Sequence, residues 1–176
     1  MSGGCEGGLH QPSIQPIFKG GRSYPLVRMV MIRRAKDADL PQVVRVWLTN
    51  IKTANTASDI AFLFNQFKRY FFVAEDSEDG KIVGFVGGSV RSGHGHISGI
   101  AVDKEFRNKG VGGRLLAAAE DEFRRAGFDR VTLEVRVSNE NAIRFYENRG
   151  YRRLYTIKGY YADGEDAYFY EKLLEK

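Results

Sequence analysis

The stretch from His96 to Phe123 constrains the chain more than any other. An apolar run, His96–Val102, passes through Asp103-Lys-Glu-Phe-Arg-Asn-Lys-Gly-Val-Gly-Gly113 into a segment where Leu115, Leu116, Ala119 and Phe123 share one helical face. Strand, glycine-rich turn and helix in direct succession demand a sheet with a helix packed on it. The start of such a helix carries backbone N–H groups with no intrahelical partner, and these bind anions. Gly110, Gly112 and Gly113 let an anionic group come close to the backbone, while Arg107 and Lys109 add compensating charge. Two familiar phosphate loops are excluded by spacing, since neither G-x-x-x-x-G-K-[ST] nor G-x-G-x-x-G after a first strand occurs. The glycines alone fit an anion site and a turn that binds nothing equally well.

The remaining periodicity supplies the surroundings. A short strand, Val30–Arg33, precedes Leu40, Val43, Val44, Trp47 and Leu48 at helical spacing, with Asp39 as cap and Pro41 in the first turn. Ile60, Leu63, Phe64 and Phe67 repeat the spacing behind Ser58 and Asp59. Tyr70–Glu75 and Lys81–Val90 are β-rich runs separated by a polar turn, and with His96–Val102 they predict an antiparallel meander. After the helix Gly112–Ala126 come a strand Val131–Val137, a helix from about Asn139 to Arg149 closed by Gly150, and two strands near Tyr151–Lys158 and Asp166–Leu174. The predicted order is βααβββαβαββ, an α/β (α+β) fold with a mixed, mostly antiparallel sheet.

At 176 residues the chain suits one domain, placed at 29–176, preceded by a Gly- and Pro-containing tail over 1–28 that reads as flexible. The only cysteine, Cys5, lies in that tail, so no core cysteine nucleophile or cysteine metal cluster is expected, and a reducing cytoplasm is. Apolar runs are too short to span a bilayer, and the first residues have neither a basic nor an apolar signal region. The net charge of +5 is spread in ones and twos, as in Lys68-Arg69, Arg124-Arg125 and Arg152-Arg153, which favours solvated faces over a nucleic-acid track. His94 and His96 point to one side of a strand, but no third ligand recurs nearby, so no metal is expected.

R-x-x-G-x-G after Ile100-Ala-Val resembles the acetyl-CoA motif of the GNAT superfamily of N-acetyltransferases. Leu133-Glu-Val-Arg-Val-Ser-Asn139 with Ala142-Ile-Arg-Phe-Tyr-Glu147 and Gly150-Tyr151 looks like the bacterial ribosomal-protein alanine N-acetyltransferases, and Gly159-Tyr-Tyr-Ala-Asp-Gly-Glu-Asp-Ala167 like the archaeal and eukaryotic N-terminal acetyltransferases. The likeness is dense from about Gly95 to Leu174, and holds only at the level of element order from Val30 to Gly93. It implies acetyl-CoA as co-substrate, held by the backbone of Ile100, Ala101 and Val102, by Arg107, Asn108, Lys109, Gly110, Val111, Gly112 and Gly113, and by Asn139, with Tyr146 beside it. It implies Glu134 as general base, Tyr146 as general acid, a water held by His96 in some relatives, and the Tyr160–Tyr161 pair gripping the acceptor peptide.

The chemistry asks for such groups. An α-amine with a pKa near 7.7–8.0 must lose a proton before it attacks a thioester, so a base is required, and either Glu134 or His96 could reach it. Glu134 is preferred, with His96 accessory. Tyr146 can protonate the leaving thiolate, and a backbone N–H near Val102 can receive the negative charge that develops on the carbonyl oxygen. Direct transfer without a covalent enzyme intermediate follows. The acceptor is expected to be a protein N-terminus, a ribosomal protein among the candidates, and the enzyme a monomer or homodimer. Where N-terminal acetyltransferases usually carry a Pro- and Tyr-containing wall, this chain has Asn50-Ile-Lys-Thr-Ala-Asn-Thr-Ala57, and Lys52 would repel a cationic amine. An internal lysine or a small amine therefore remain alternative acceptors, and a non-catalytic CoA- or nucleic-acid-binding module a third reading.

Overall fold

The computed structural model describes residues 28–175. Nearly all of the sequence-derived tail lies outside the described residues. Seven strands and four α-helices follow in the expected order: β1 (Val30–Arg34), α1 (Leu40–Asn50), α2 (Ala57–Phe67), β2 (Phe71–Asp76), β3 (Ile82–Arg91), β4 (His94–Val102), α3 (Val111–Arg125), β5 (Arg130–Arg136), α4 (Glu140–Glu147), β6 (Arg152–Ile157) and β7 (Ala167–Leu173). They form one sheet in the order β1-β2-β3-β4-β5-β7-β6, antiparallel throughout except where β4 meets β5.

Both faces of the sheet centre are covered, which is why β2 is apolar over consecutive residues rather than alternating with polar ones. Phe71 and Val73 pack with Val46, Trp47, Ile60 and Phe64 of α1 and α2. Their neighbours Phe72 and Ala74 turn to the opposite face, against Leu115, Leu116, Ala119 and Phe123 of α3. Two details depart from the periodicity. The buried stripe of α1 is Val43, Val46 and Trp47, and Leu48 is exposed, because the stripe that faces the sheet turns toward Val46. Asp39 stands at the N-cap position of α1, but its side chain accepts no bond from the helix. Its carboxylate accepts from the Lys36 N–H (2.7 Å) and from Arg33 (2.7 and 2.9 Å), closing the short turn ahead of the helix. Helix α2 starts earlier than Ser58 and Asp59 suggest: both lie in its first turn, and its cap is Thr56, which bonds reciprocally with Asp59. Gly150, at φ +87°, ends α4 with paired bonds from Tyr151 N–H to Tyr146 O and from Gly150 N–H to Glu147 O.

The feature that positions the site is a split. The β4–β5 ladder has only two rungs, Gly95↔Val131 and His96↔Thr132. Beyond them β4 is bulged, since Gly87 pairs with Gly99 and Gly88 with Ile97, leaving Ser98 as the extra residue. From Ile97 onward the β5-facing edge of β4 has no strand beside it, and a wedge opens between the two strands.

The helix under the split is tightly fitted. Phe123 stacks on Tyr70 at 4.6 Å, and a Cβ added at Gly95 would stand 2.7–3.0 Å from three atoms of its ring. Phe123→Ala should cost about 3–5 kcal/mol through the cavity it leaves. Urea unfolding would read this directly, and a loss below about 1 kcal/mol would mean that the ring is not the support of the split.

Candidate active site

A groove of about 1780 Å³ runs along the wedge. Its lining includes Ile100, Ala101, Val102, Arg107, Asn108, Gly110, Val111, Gly112, Gly113, Glu134, Asn139, Tyr146, Tyr160, Tyr161 and His96, so the sequence-derived site residues converge with one exception, Lys109, which does not line it.

At one end lies the glycine turn. Asn108 and Gly110 take positive φ, +60° and +78°, and the first intrahelical bond of α3 is from Arg114 N–H to Gly110 O (3.1 Å). The N–H groups of Val111, Gly112 and Gly113 stand ahead of the ladder with the positive end of the helix dipole behind them. Arg107 turns back: its Nε donates to Val102 O at 2.8 Å and its Nη2 to Asn50 Oδ1 at 2.7 Å. Lys109 likewise donates to Glu105 O (3.0 Å). Arg107 thereby holds the turn against β4 and α1, Lys109 braces it from within, and the backbone donors share the groove side with Lys104, Arg107 and Arg149. Nothing in the periodicity marked Asn50, which also donates to Asp103 (2.9 Å) and so ties the end of α1 to the start of the turn. Asn139 caps α4 by accepting from Ala142 N–H (3.1 Å), which occupies its carbonyl oxygen and leaves its amide N–H₂ as the group it can offer a ligand.

The middle of the groove holds the titratable cluster. Val131, Leu133 and Val135 of β5 belong to the core on the α3 side, so Thr132 and Glu134 stand on the other face. Alternation alone would send Glu134 to solvent, yet its side chain is only 11% exposed. His96 Nε2 lies 3.1 Å from Glu134 Oε2, and Arg91 Nη1 3.5 Å from Oε1. Burial pushes the Glu134 carboxyl up, but the His96 hydrogen bond, the neighbouring cationic charge and a hydrogen bond from Tyr160 outweigh it and hold the group below the ordinary carboxylate range. For His96 burial dominates and lowers the imidazole below 6.5, against the opposing pull of Glu134. Near neutral pH the pair is a neutral imidazole donating to a carboxylate.

Around it stand three tyrosines. Burial raises the Tyr146, Tyr160 and Tyr161 hydroxyls, so all three are neutral donors. Tyr160 and Tyr161 meet edge to face at 5.0 Å, and the Arg136 guanidinium sits 3.9 Å over the Tyr161 ring. Lys52 is paired with Asp163 at 2.7 Å. Its charge, which the sequence set against a cationic acceptor, is therefore balanced locally. Among the described residues there is no group of three or more His, Cys, Asp or Glu able to hold a metal ion, and no helix long and apolar enough to cross a membrane.

A split parallel pair, a helix-start anion cradle beside it and an ionised glutamate in the gap are the arrangement of an acyl-CoA-dependent N-acyltransferase. Residues 36–151 match the model of the acetyltransferase (GNAT) family. An N-acetyltransferase of Methanocaldococcus jannaschii is 40% identical over 139 residues, covering 78% of this chain and 88% of the relative. An N-alpha-acetyltransferase of Sulfurisphaera tokodaii is 33% identical over 153 residues, covering 78% and 89%. The crystal structure of Ard1 from Thermoplasma volcanium superposes with a TM-score of 0.78 at 32% identity, over 84% of this chain and 99% of that one. The chain belongs to the GNAT family of acetyltransferases and is an N-acetyltransferase.

The depressed His96 makes a stability prediction. Below pH 6.5 the unfolded chain binds a proton at His96 that the folded chain refuses, so stability falls as pH drops through that value. Replacing His96 with the non-titrating Gln should flatten this fall between pH 6.5 and about 5. Thermal midpoints across the pH range measure it, and an unchanged slope would show that His96 titrates normally.

Proposed function

We propose that the protein transfers the acetyl group of acetyl-CoA directly to the α-amino group of a protein N-terminus. The observation that carries this reading is the buried, ionised Glu134, held by His96 at the floor of the wedge and faced by Tyr160 and Tyr161. The names of the archaeal relatives point the same way, since the Sulfurisphaera protein is an N-alpha-acetyltransferase.

Acetyl-CoA fits the groove on two features. The N–H groups of Val111, Gly112 and Gly113 suit its pyrophosphate, and the open edge of β4 at Ile100 and Val102, with Ala101 between them turned to β3, offers main-chain partners to an amide-bearing arm. It supplies the activated thioester. The protein's residues do the rest. Tyr160 and Tyr161 flank the acceptor backbone. Arg91, beside Glu134, disfavours an ammonium and so lowers the acceptor's pKa. Glu134 is a weaker base than a free amine, and takes the proton as the new N–C bond forms, when the nitrogen becomes strongly acidic. The Val102 N–H receives the charge on the carbonyl oxygen. Tyr146, kept protonated by burial, donates to the departing sulfur. One ammonium proton is released before attack; the second, taken by Glu134, returns through solvent to Tyr146, whose own proton has gone to the thiol. In this reading Arg107 and Lys109 shape the turn, Asn139 contacts the cofactor through its amide, no metal takes part, and the enzyme works in the cytoplasm on a polypeptide acceptor.

Glu134→Gln should lower kcat by about 10²-fold or more with nearly unchanged acetyl-CoA affinity. Acetyl-CoA at ten times its Kd should stabilise the protein by about 1.4 kcal/mol. Mass spectrometry of peptides with free and blocked N-termini should find acetyl only where the α-amine is free. Acetyl confined to lysine side chains would sink the N-terminal reading, and full activity of the Gln variant would remove Glu134 as base.

A further inference from the structure

The hydrogen bonding at Glu134 does not stop at His96. His96 Nδ1 lies 3.0 Å from Thr132 Oγ1, and the same oxygen lies 3.0 Å from His94 Nε2. Four side chains, two on β4 and two on β5, thus form one line: His94, Thr132, His96, Glu134. The middle pair, His96↔Thr132, is also the last rung before the strands part. Thr132 and His96 are buried, at 2% and 1% exposure.

Counting donors fixes the direction of this line. A carboxylate only accepts, so the single proton of a neutral His96 sits on Nε2, and Nδ1 must accept. The hydroxyl of Thr132 is the group placed to donate there. Its one proton is then committed, and its oxygen accepts from His94 Nε2–H. That assignment leaves His94 Nδ1 without a proton, and this buried atom has no hydrogen-bond partner among the described residues. A proton there would be an orphaned buried donor, so the geometry at the far end agrees with the geometry at Glu134.

We propose that Thr132 is a positioning residue for catalysis: its hydroxyl anchors the His96 ring with Nε2–H toward Glu134, so that His96 has no free lone pair and Glu134 alone serves as base. The inference rests on the reading of Glu134 given above. It assigns a task to a threonine that no motif singles out, and it decides between the two bases that the sequence leaves open. The charged and titratable groups that face Glu134 are Arg91 from β3, His96 from β4 and both Tyr160 and Tyr161 from the β6–β7 connection, with His94 acting through Thr132. Loss of the Thr132 hydroxyl leaves His96 Nδ1 unpaired, frees the ring to turn, and weakens the donor that keeps Glu134 ionised.

The test has two arms. Nitrogen-15 NMR of histidine-labelled protein, which contains three histidines, should find His96 protonated on Nε2 with Nδ1 as a hydrogen-bond acceptor. Protonation on Nδ1 in the wild-type protein would overturn the proposal. In the second arm, Thr132→Val should lower kcat about tenfold, as expected when a buried acceptor loses its partner. It should leave the KM for acetyl-CoA in place and move the acid limb of the kcat/KM profile to higher pH, while Thr132→Ser keeps all three near wild type. A Val variant with wild-type kcat and pH profile, alongside an inactive Glu134→Gln, would overturn the role of Thr132 and leave Glu134 as base. Full activity of Glu134→Gln would instead remove the base reading, whatever the NMR finds. Because the NMR arm needs no substitution, poor folding of the Val variant would not protect the proposal.

Discussion

Everything functional in this molecule depends on how briefly β4 and β5 hold each other. Two rungs are enough to seat the strands side by side, and the bulge at Ser98 then carries β4 away. A longer ladder would satisfy the backbone of Ile97–Val102 and close the groove. A shorter one would lose the register that sets His96 beside Thr132, and with it the line of hydrogen bonds to Glu134. The neighbouring β5–β7 ladder runs from Arg130 to Arg136 without a break, so β5 is firmly held on its other side and the gap falls where β4 bends.

Much of this could be read from the residues, and what could not has a physical reason. Element order follows from local periodicity, which needs no knowledge of neighbours. The exposed Leu48 and the backward-turned Asp39 show the limit of that method: a heptad-like spacing fits two adjacent stripes on α1, and only the sheet beneath selects Val46 over Leu48. The glycine turn was visible because its signal is local, while Glu134, Asn139 and Tyr146 came from the likeness of the 133–151 stretch to known N-acetyltransferases. The partner of Arg107 was not, since Asn50 lies on another element 57 residues away. Thr132 was invisible for a related reason. A threonine in a strand has every propensity to be there, and its part in the site exists only through the parallel register with His96.

The arginines carry a further lesson about charge in clefts. The chain has a formal excess of five positive charges, and a groove beside a helix start invites the assumption that its cations supply the attraction for an anion. Here Arg107 and Lys109 donate to backbone carbonyls of the turn and strand, and Arg136 is held by Asp163 and Glu165 at 3.0 and 2.7 Å, while Lys104 and Arg149 line the groove beside the backbone donors. A fixed array of main-chain dipoles is more rigid than long cationic side chains, and it loses little side-chain entropy when a ligand arrives.

The pair between Lys52 and Asp163 joins the connection after α1 to the loop before β7, so the two walls of the groove are buttoned together there. Both partners are open to solvent, at 70% and 38%, and an exposed pair of this kind is weak. The button opens easily and is screened by salt. The width of the mouth therefore responds to ionic strength as well as to shape.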